Sequence, residues 1–219
     1  MSTVPDNTIS TLSSVLAYVP VSTLDATNAF PRAKRWTRAE YHRIAELGFF
    51  QDERVELING EILVLTPQSS WHAYALDKTA ELLNAIFAKD HWVRLQLPLV
   101  SGDSGEPEPD ISVVHGLRED FIDHHPTTAA LIVEISYTTQ EYDTQTKAHL
   151  YASMNVPDYW VLDLENRQLL VYRQPVADET AKFGHRYESM TTIAADGQVA
   201  SLEKPGEMLT VGKMLPPVK

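Results

Sequence analysis

Four residues carry most of the chemical promise of this sequence: Glu56 in "VELI", Asp110 after Pro109 in "EPEPDISVV", Glu134 in "LIVEIS", and Lys147 in "DTQTKAHLYASM". Each of the three acids sits among apolar residues. An ionised carboxylate there is costly unless it is paired or bound to a metal. Two carboxylates and an ammonium at one point supply what metal-assisted phosphodiester hydrolysis needs. Hard oxygen donors hold Mg²⁺, and the cationic side chain orients or deprotonates a water or stabilises the transition state. A purely structural reading competes at each position. Asp110 would merely open a strand from an acidic loop, and Glu134 would pair with a buried Arg or Lys. Lys147 would be a surface partner of Asp143 at i−4, and Glu56 a half-exposed hairpin residue.

The elements that must position these groups follow from periodicity. "WTRAEYHRIAELGFF" predicts a helix with Thr37 as N-cap, Glu40 completing a capping box, and Gly48 as the stop. "RVELINGEILVL" predicts a hairpin turning at Asn59–Gly60, the strongest short hairpin signal there is. A helix is expected from Ser70 to Ala88, then a strand in "WVRLQLPLV" and short central strands in "DISVV" and "ALIVEISY". A long helix fits "TQEYDTQTKAHLYASM", two strands turn at Glu165–Asn166, and "RYESM" and "EMLTV" give weaker strand signals. Side chains alternate along a strand, so Glu134 shares a face with Ile132 and Ser136, opposite Leu131, Val133 and Ile135. On the helix, Asp143, Leu150, Tyr151 and Met154 share the side of Lys147, which turns that side inward. In "EPEPDISVV" Pro109 pre-sets the entering backbone of Asp110, whereas Glu106 and Glu108 alternate with prolines and are expected to be solvated and dispensable. The fold class is α/β, a mixed, twisted central sheet flanked by helices with an N-terminal hairpin.

Length and charge bound the alternatives. The 219 residues suffice for one sizeable domain, here 34–219, preceded by an arm over 1–33 that is flexible or docked on a partner. The chain has no cysteine, which excludes disulfides, thiolate metal sites and cysteine nucleophiles. With 18 Lys+Arg against 30 Asp+Glu the net charge is −12, so binding by bulk phosphate neutralisation is disfavoured. A local patch, or metal held by acids, is not. No basic residue precedes Arg32 and "SSVLAYVPV" is too short to span a bilayer, so the expected location is the cytoplasm, with no membrane partner.

Taken together, Pro109–Asp110, Glu134 in "VEIS" and Lys147 resemble the PD-(D/E)XK, restriction-endonuclease-like superfamily. "ERVELINGEILVLTPQSSWH", "PEPDISVV", "LIVEIS" and "DTQTKAHLYASMNVPDYWVLDLENRQLLVYR" resemble, more closely, its Uma2 branch over residues 36–174. The resemblance implies a Mg²⁺- or Mn²⁺-dependent DNA endonuclease with Glu56, Asp110 and Glu134 as the acidic metal ligands and Lys147 as the catalytic ammonium. His72 in "SSWH" also matches a family position, as a structural residue or a substrate contact. One departure is plain: the lysine expected two residues after Glu134 is Ser136, and the helix position of Lys147 takes its role. A homodimer is expected by analogy with nucleases that cut both strands. The rival function is a catalytically silent module of the same fold that serves in binding or assembly.

Overall fold

Thr37 caps the first helix as its spacing predicts. In the computed structural model, which describes residues 31–218, α1 runs Arg38–Glu46. The Thr37 hydroxyl accepts from the Glu40 N–H at 3.2 Å, and the Glu40 carboxylate accepts from the Thr37 N–H at 2.9 Å. Strands β1 (Val55–Ile58) and β2 (Glu61–Val64) pair antiparallel around Asn59 and Gly60. Both turn residues have positive φ, 49° and 78°, as a two-residue primed turn requires. A Cβ on Gly60 would stand 3.1 Å from the Trp36 nitrogen, so close approach and conformation both call for glycine. Tyr41 packs with Val55 and Leu57 and donates to the Val55 carbonyl, joining α1 to the hairpin.

The main sheet has six strands in the order β3 (His91–Leu95), β4 (Ile111–His115), β5 (Leu131–Ser136), β6 (Asp158–Asp163), β7 (Gln168–Ala177) and β8 (His185–Ala194). Every neighbouring pair is antiparallel except β5–β6, which is parallel and therefore needs a crossover. The alternation expected for β5 is realised. Leu131, Val133 and Ile135 join the core under α2 (Ser70–Phe87), while Ile132 joins the core on the other face with Leu150, Tyr151 and Tyr159. Burying both faces explains why β5 and β6 read as unbroken apolar runs.

Three readings are corrected. The long helix expected over "TQEYDTQTKAHLYASM" is a π-helical segment, Tyr142–Lys147, leading into a short α3, Ala148–Ser153. The wide turn lets Tyr142, Asp143 and Lys147 all face inward, a placement that ordinary helical spacing does not give. "WVRLQLPLV" holds a strand only to Leu95, because Gln96 takes φ +50° and turns the chain out of the sheet. "RYESM" is the centre of a ten-residue strand, while "EMLTV" contributes only β10 (Leu209–Thr210), paired with β9 (Gln198–Val199). The arm expected over 1–33 lies, up to residue 30, outside the described residues. Among the described residues no helix is long and apolar enough to cross a membrane.

Candidate active site

Pairing of β4 with β5 settles where the first two acids meet. Ile111 is opposite Val133 in antiparallel register, so Asp110, one residue before β4, lies beside Glu134. The Asp110 N–H donates to Glu134 Oε2 at 3.3 Å, and the Ile135 N–H donates to Asp110 Oδ2 at 2.8 Å. Lys147 reaches the same point from the crossover, with Nζ 3.0 Å from Glu134 Oε1. The Tyr151 hydroxyl donates to that oxygen at 2.7 Å. Glu134 and Lys147 are both buried, so Lys147 is not the surface partner of Asp143 that i,i+4 spacing alone would allow.

Glu56 is wholly buried in β1, contrary to a half-exposed hairpin residue. The Glu108 N–H donates to its Oε2 at 3.2 Å and the Tyr142 hydroxyl to its Oε1 at 3.4 Å. Glu56, Asp110, Glu134, Asp143 and Lys147 line one cavity of about 520 Å³ with His72. His72 does not stand apart as a contact for an outside group: its Nε2 lies 3.0 Å from Asp110 Oδ2. Its other ring nitrogen is buried and has no partner among the described residues.

Sequence reading misses Gln96, whose amide donates to Asp110 Oδ1 at 3.2 Å; its positive φ has no signal in a polar, non-glycine residue. Tyr142 is missed because ordinary helical spacing turns it away. Asp143 and Tyr151 are placed on the correct side by spacing but without a role. The expectation for Glu106 and Glu108 is overturned. Glu106 is buried, pairs with β1 through Leu57, and lies 2.9 Å from His42 Nε2 on α1; Glu108 lines the cavity and accepts from Arg54. Alternation with proline made these acids look like solvated loop, yet the segment is an added edge for the hairpin.

The electrostatics are those of crowded acids around one ammonium. Burial raises the pKa of Glu134, Lys147 only partly offsets this, and Asp110 and Asp143 add to it, so that it is pushed up to about 8. Burial also raises Asp143. Burial disfavours charge on Asp110 too, but the hydrogen bond and charge of His72, with Lys147 and the Ile135 N–H, outweigh it and hold its pKa below the ordinary value. For Lys147 burial opposes protonation, and Glu134, Glu56, Asp143 and Asp110 overcome it, leaving the amine charged. Two neighbouring carboxylates are thus driven in opposite directions, a pattern found where acids do chemistry.

The donor set fits a hard divalent cation. Four carboxylates face one ammonium in this cavity, an excess of buried negative charge that carboxylate-bound Mg²⁺ or Mn²⁺ would offset.

The comparisons agree with the geometry. Residues 38–203 match the family model Uma2, described as "Putative restriction endonuclease". A solved structure from Anabaena variabilis ATCC 29413, titled a "putative nuclease belonging to DUF820", superposes with a TM-score of 0.62. It is 16% identical and covers 82% of this chain and 97% of its own, a likeness of fold, restriction-endonuclease-like. No curated protein is significantly similar in sequence. With its matched span taking in Glu56, Asp110, Glu134 and Lys147, the chain belongs to the Uma2 family.

Proposed function

We propose that the protein is a divalent-metal-dependent endonuclease that hydrolyses phosphodiester bonds in DNA. The observation that carries this reading is the meeting of Asp110, Glu134 and Lys147 from three separate elements at one buried point in an open cavity. Asp110 and Glu134 would hold Mg²⁺ or Mn²⁺, with Glu56 and Asp143 completing the negative surround. When bound, such an ion supplies charge against the developing phosphorane and acidifies a water.

The chain's own groups do the rest. Ile135, His72 and Gln96 fix both oxygens of Asp110, and Tyr151 fixes Glu134, so no carboxylate must reorient during reaction. Lys147, held charged by four acids, acts as a donor that orients the attacking water and stabilises negative charge, which fits better than proton abstraction. Ser136 ends β5 beside the site without offering an amine, consistent with the ammonium arriving from the crossover instead.

The test is cleavage of single- and double-stranded DNA with Mg²⁺ and with Mn²⁺, beside Asp110→Ala. Loss of cleavage in the variant is expected, and equal activity in the two proteins overturns the assignment. The silent-module reading draws on the net charge of −12 and on Ser136. It predicts no heat of Mn²⁺ binding that Glu134→Ala abolishes. A homodimer would place two such sites on two strands; a light-scattering mass near the 24.6 kDa monomer refutes it.

A further inference from the structure

A second cluster of ligand-type side chains lies at the other end of β4. His91 opens β3 and His115 ends β4, and the two are directly paired in the sheet register. Their rings lie 4.6 Å apart between centroids. Glu203 approaches from the C-terminal segment, with one oxygen 3.7 Å from His91 Nε2 and the other 3.8 Å from His115 Nε2. One ligand atom from each of the three lies within 4.8 Å of the others.

Those separations exceed a hydrogen bond. They are close to the roughly 3.4 Å between ligand atoms around a tetrahedral ion with metal–ligand bonds of about 2.1 Å. A second observation points to a ligand independently. The His91 side chain is 3% exposed, yet its Nε2 has no hydrogen-bond partner among the described residues. A buried polar nitrogen left without a partner calls for one.

The rest of the surround prepares that nitrogen as a lone-pair donor. His91 Nδ1 is 2.8 Å from Asp90 Oδ1, and Asp90 pairs through its other oxygen with Lys204 Nζ at 2.6 Å. A carboxylate so paired can only accept, so Nδ1 carries the proton and Nε2 presents its lone pair to Glu203. This is the carboxylate–histidine arrangement that orients metal-bound imidazoles. Phe87 meets the His91 ring edge-on at 5.2 Å and fixes its plane. The segment bearing Glu203 is equally held: the Leu202 N–H donates to buried Asp158 at 2.9 Å, and Arg173 donates to the Ala200 carbonyl at 2.6 Å.

We infer that His91, His115 and Glu203 form a site for a borderline divalent cation such as Zn²⁺, separate from the carboxylate centre. Two imidazoles and a carboxylate suit that class of ion and not Mg²⁺. The three ligands leave a fourth position for water. Bound there, the ion ties the segment around residue 203 to the β3–β4 edge.

The test is calorimetric titration of the chelator-stripped full chain with Zn²⁺, with thermal melting alongside. His115→Ala and Glu203→Gln change exposed side chains and leave the fold intact; Asp110→Asn controls for binding at the carboxylate centre. The expected result is a Zn²⁺-binding event, accompanied by a rise in Tm, that Asp110→Asn retains. His115→Ala and Glu203→Gln should each weaken that event by at least about tenfold. The inference is overturned if both variants bind Zn²⁺ as the parent does, if Asp110→Asn removes the only event, or if the parent shows no Zn²⁺ binding.

Discussion

The two ends of β4 carry donor sets of opposite character. At its entry, Asp110 joins Glu134, Glu56, Asp143 and Lys147, all hard oxygens and one ammonium inside a cavity. At its exit, His115 joins His91 and Glu203, two imidazoles and one carboxylate at a partly exposed edge. The oxygen centre concentrates charge that the protein only partly compensates. The histidine centre is built from groups that are neutral when they bind, so it needs little compensation. The difference teaches that the number of acids matters less than what is packed behind them. Backbone N–H groups, Tyr151 and Lys147 stand behind the carboxylates, whereas Asp90 and Phe87 stand behind the imidazoles.

The comparison is most easily broken at its strongest point. Asp110→Ala should lower DNA cleavage by roughly a thousandfold, since charge stabilisation by a held metal is worth several kcal/mol. His115→Ala should leave cleavage in Mg²⁺ unchanged. Rate measurements on both variants check the pair, and a fall in His115→Ala equal to that in Asp110→Ala would merge the two centres into one.

Lys147→Met should destabilise the protein by about 3–5 kcal/mol in chelator, because it strands buried carboxylates. The double variant Glu134→Gln, Lys147→Met should recover much of that loss, as read by denaturant unfolding. Glu106→Gln should cost about 1–2 kcal/mol through the weakened bond to His42, where a solvated acid would cost nothing.

The smallest effect is in pH. The folded pKa of Glu134 is raised from the ordinary 4.5 to about 8, so the folded state holds a proton that the unfolded state releases earlier. Its contribution is fully present below about pH 4.5 and is lost as pH rises through about 8. The Tm of the metal-free parent should therefore fall across that window more steeply than that of Glu134→Gln. Parallel melting curves would show that Glu134 titrates normally.

Much of the carboxylate centre was legible because strand alternation and an antiparallel neighbour fix Asp110 beside Glu134 with little freedom. Lys147 was legible for a reason that is only partly right. Its inward side was read from α-helical spacing, while the segment is a π-helix that also brings in Tyr142. Gln96 left no trace, since a positive φ in glutamine follows from what the chain does after β3. Glu106 was misread because its partner, His42, is 64 residues away, and nothing local distinguishes a docked acidic edge from a solvated one. The histidine pair was invisible for the same reason: His91 and His115 meet only through a register set across the long connection from β3 to β4.

The π-helical turn over Tyr142–Lys147 also sets how this segment tolerates insertion and deletion. It holds one more residue than an α-helix of the same rise, so removing Thr144 would let the turn tighten into ordinary helix. Residues before the deletion would then rotate by about 100° relative to α3. Lys147, anchored with Tyr151, would keep Glu134, but Tyr142 would swing away from Glu56. A single codon lost here would thus split the acidic wall from the lysine while leaving every residue of the four-residue set in the sequence.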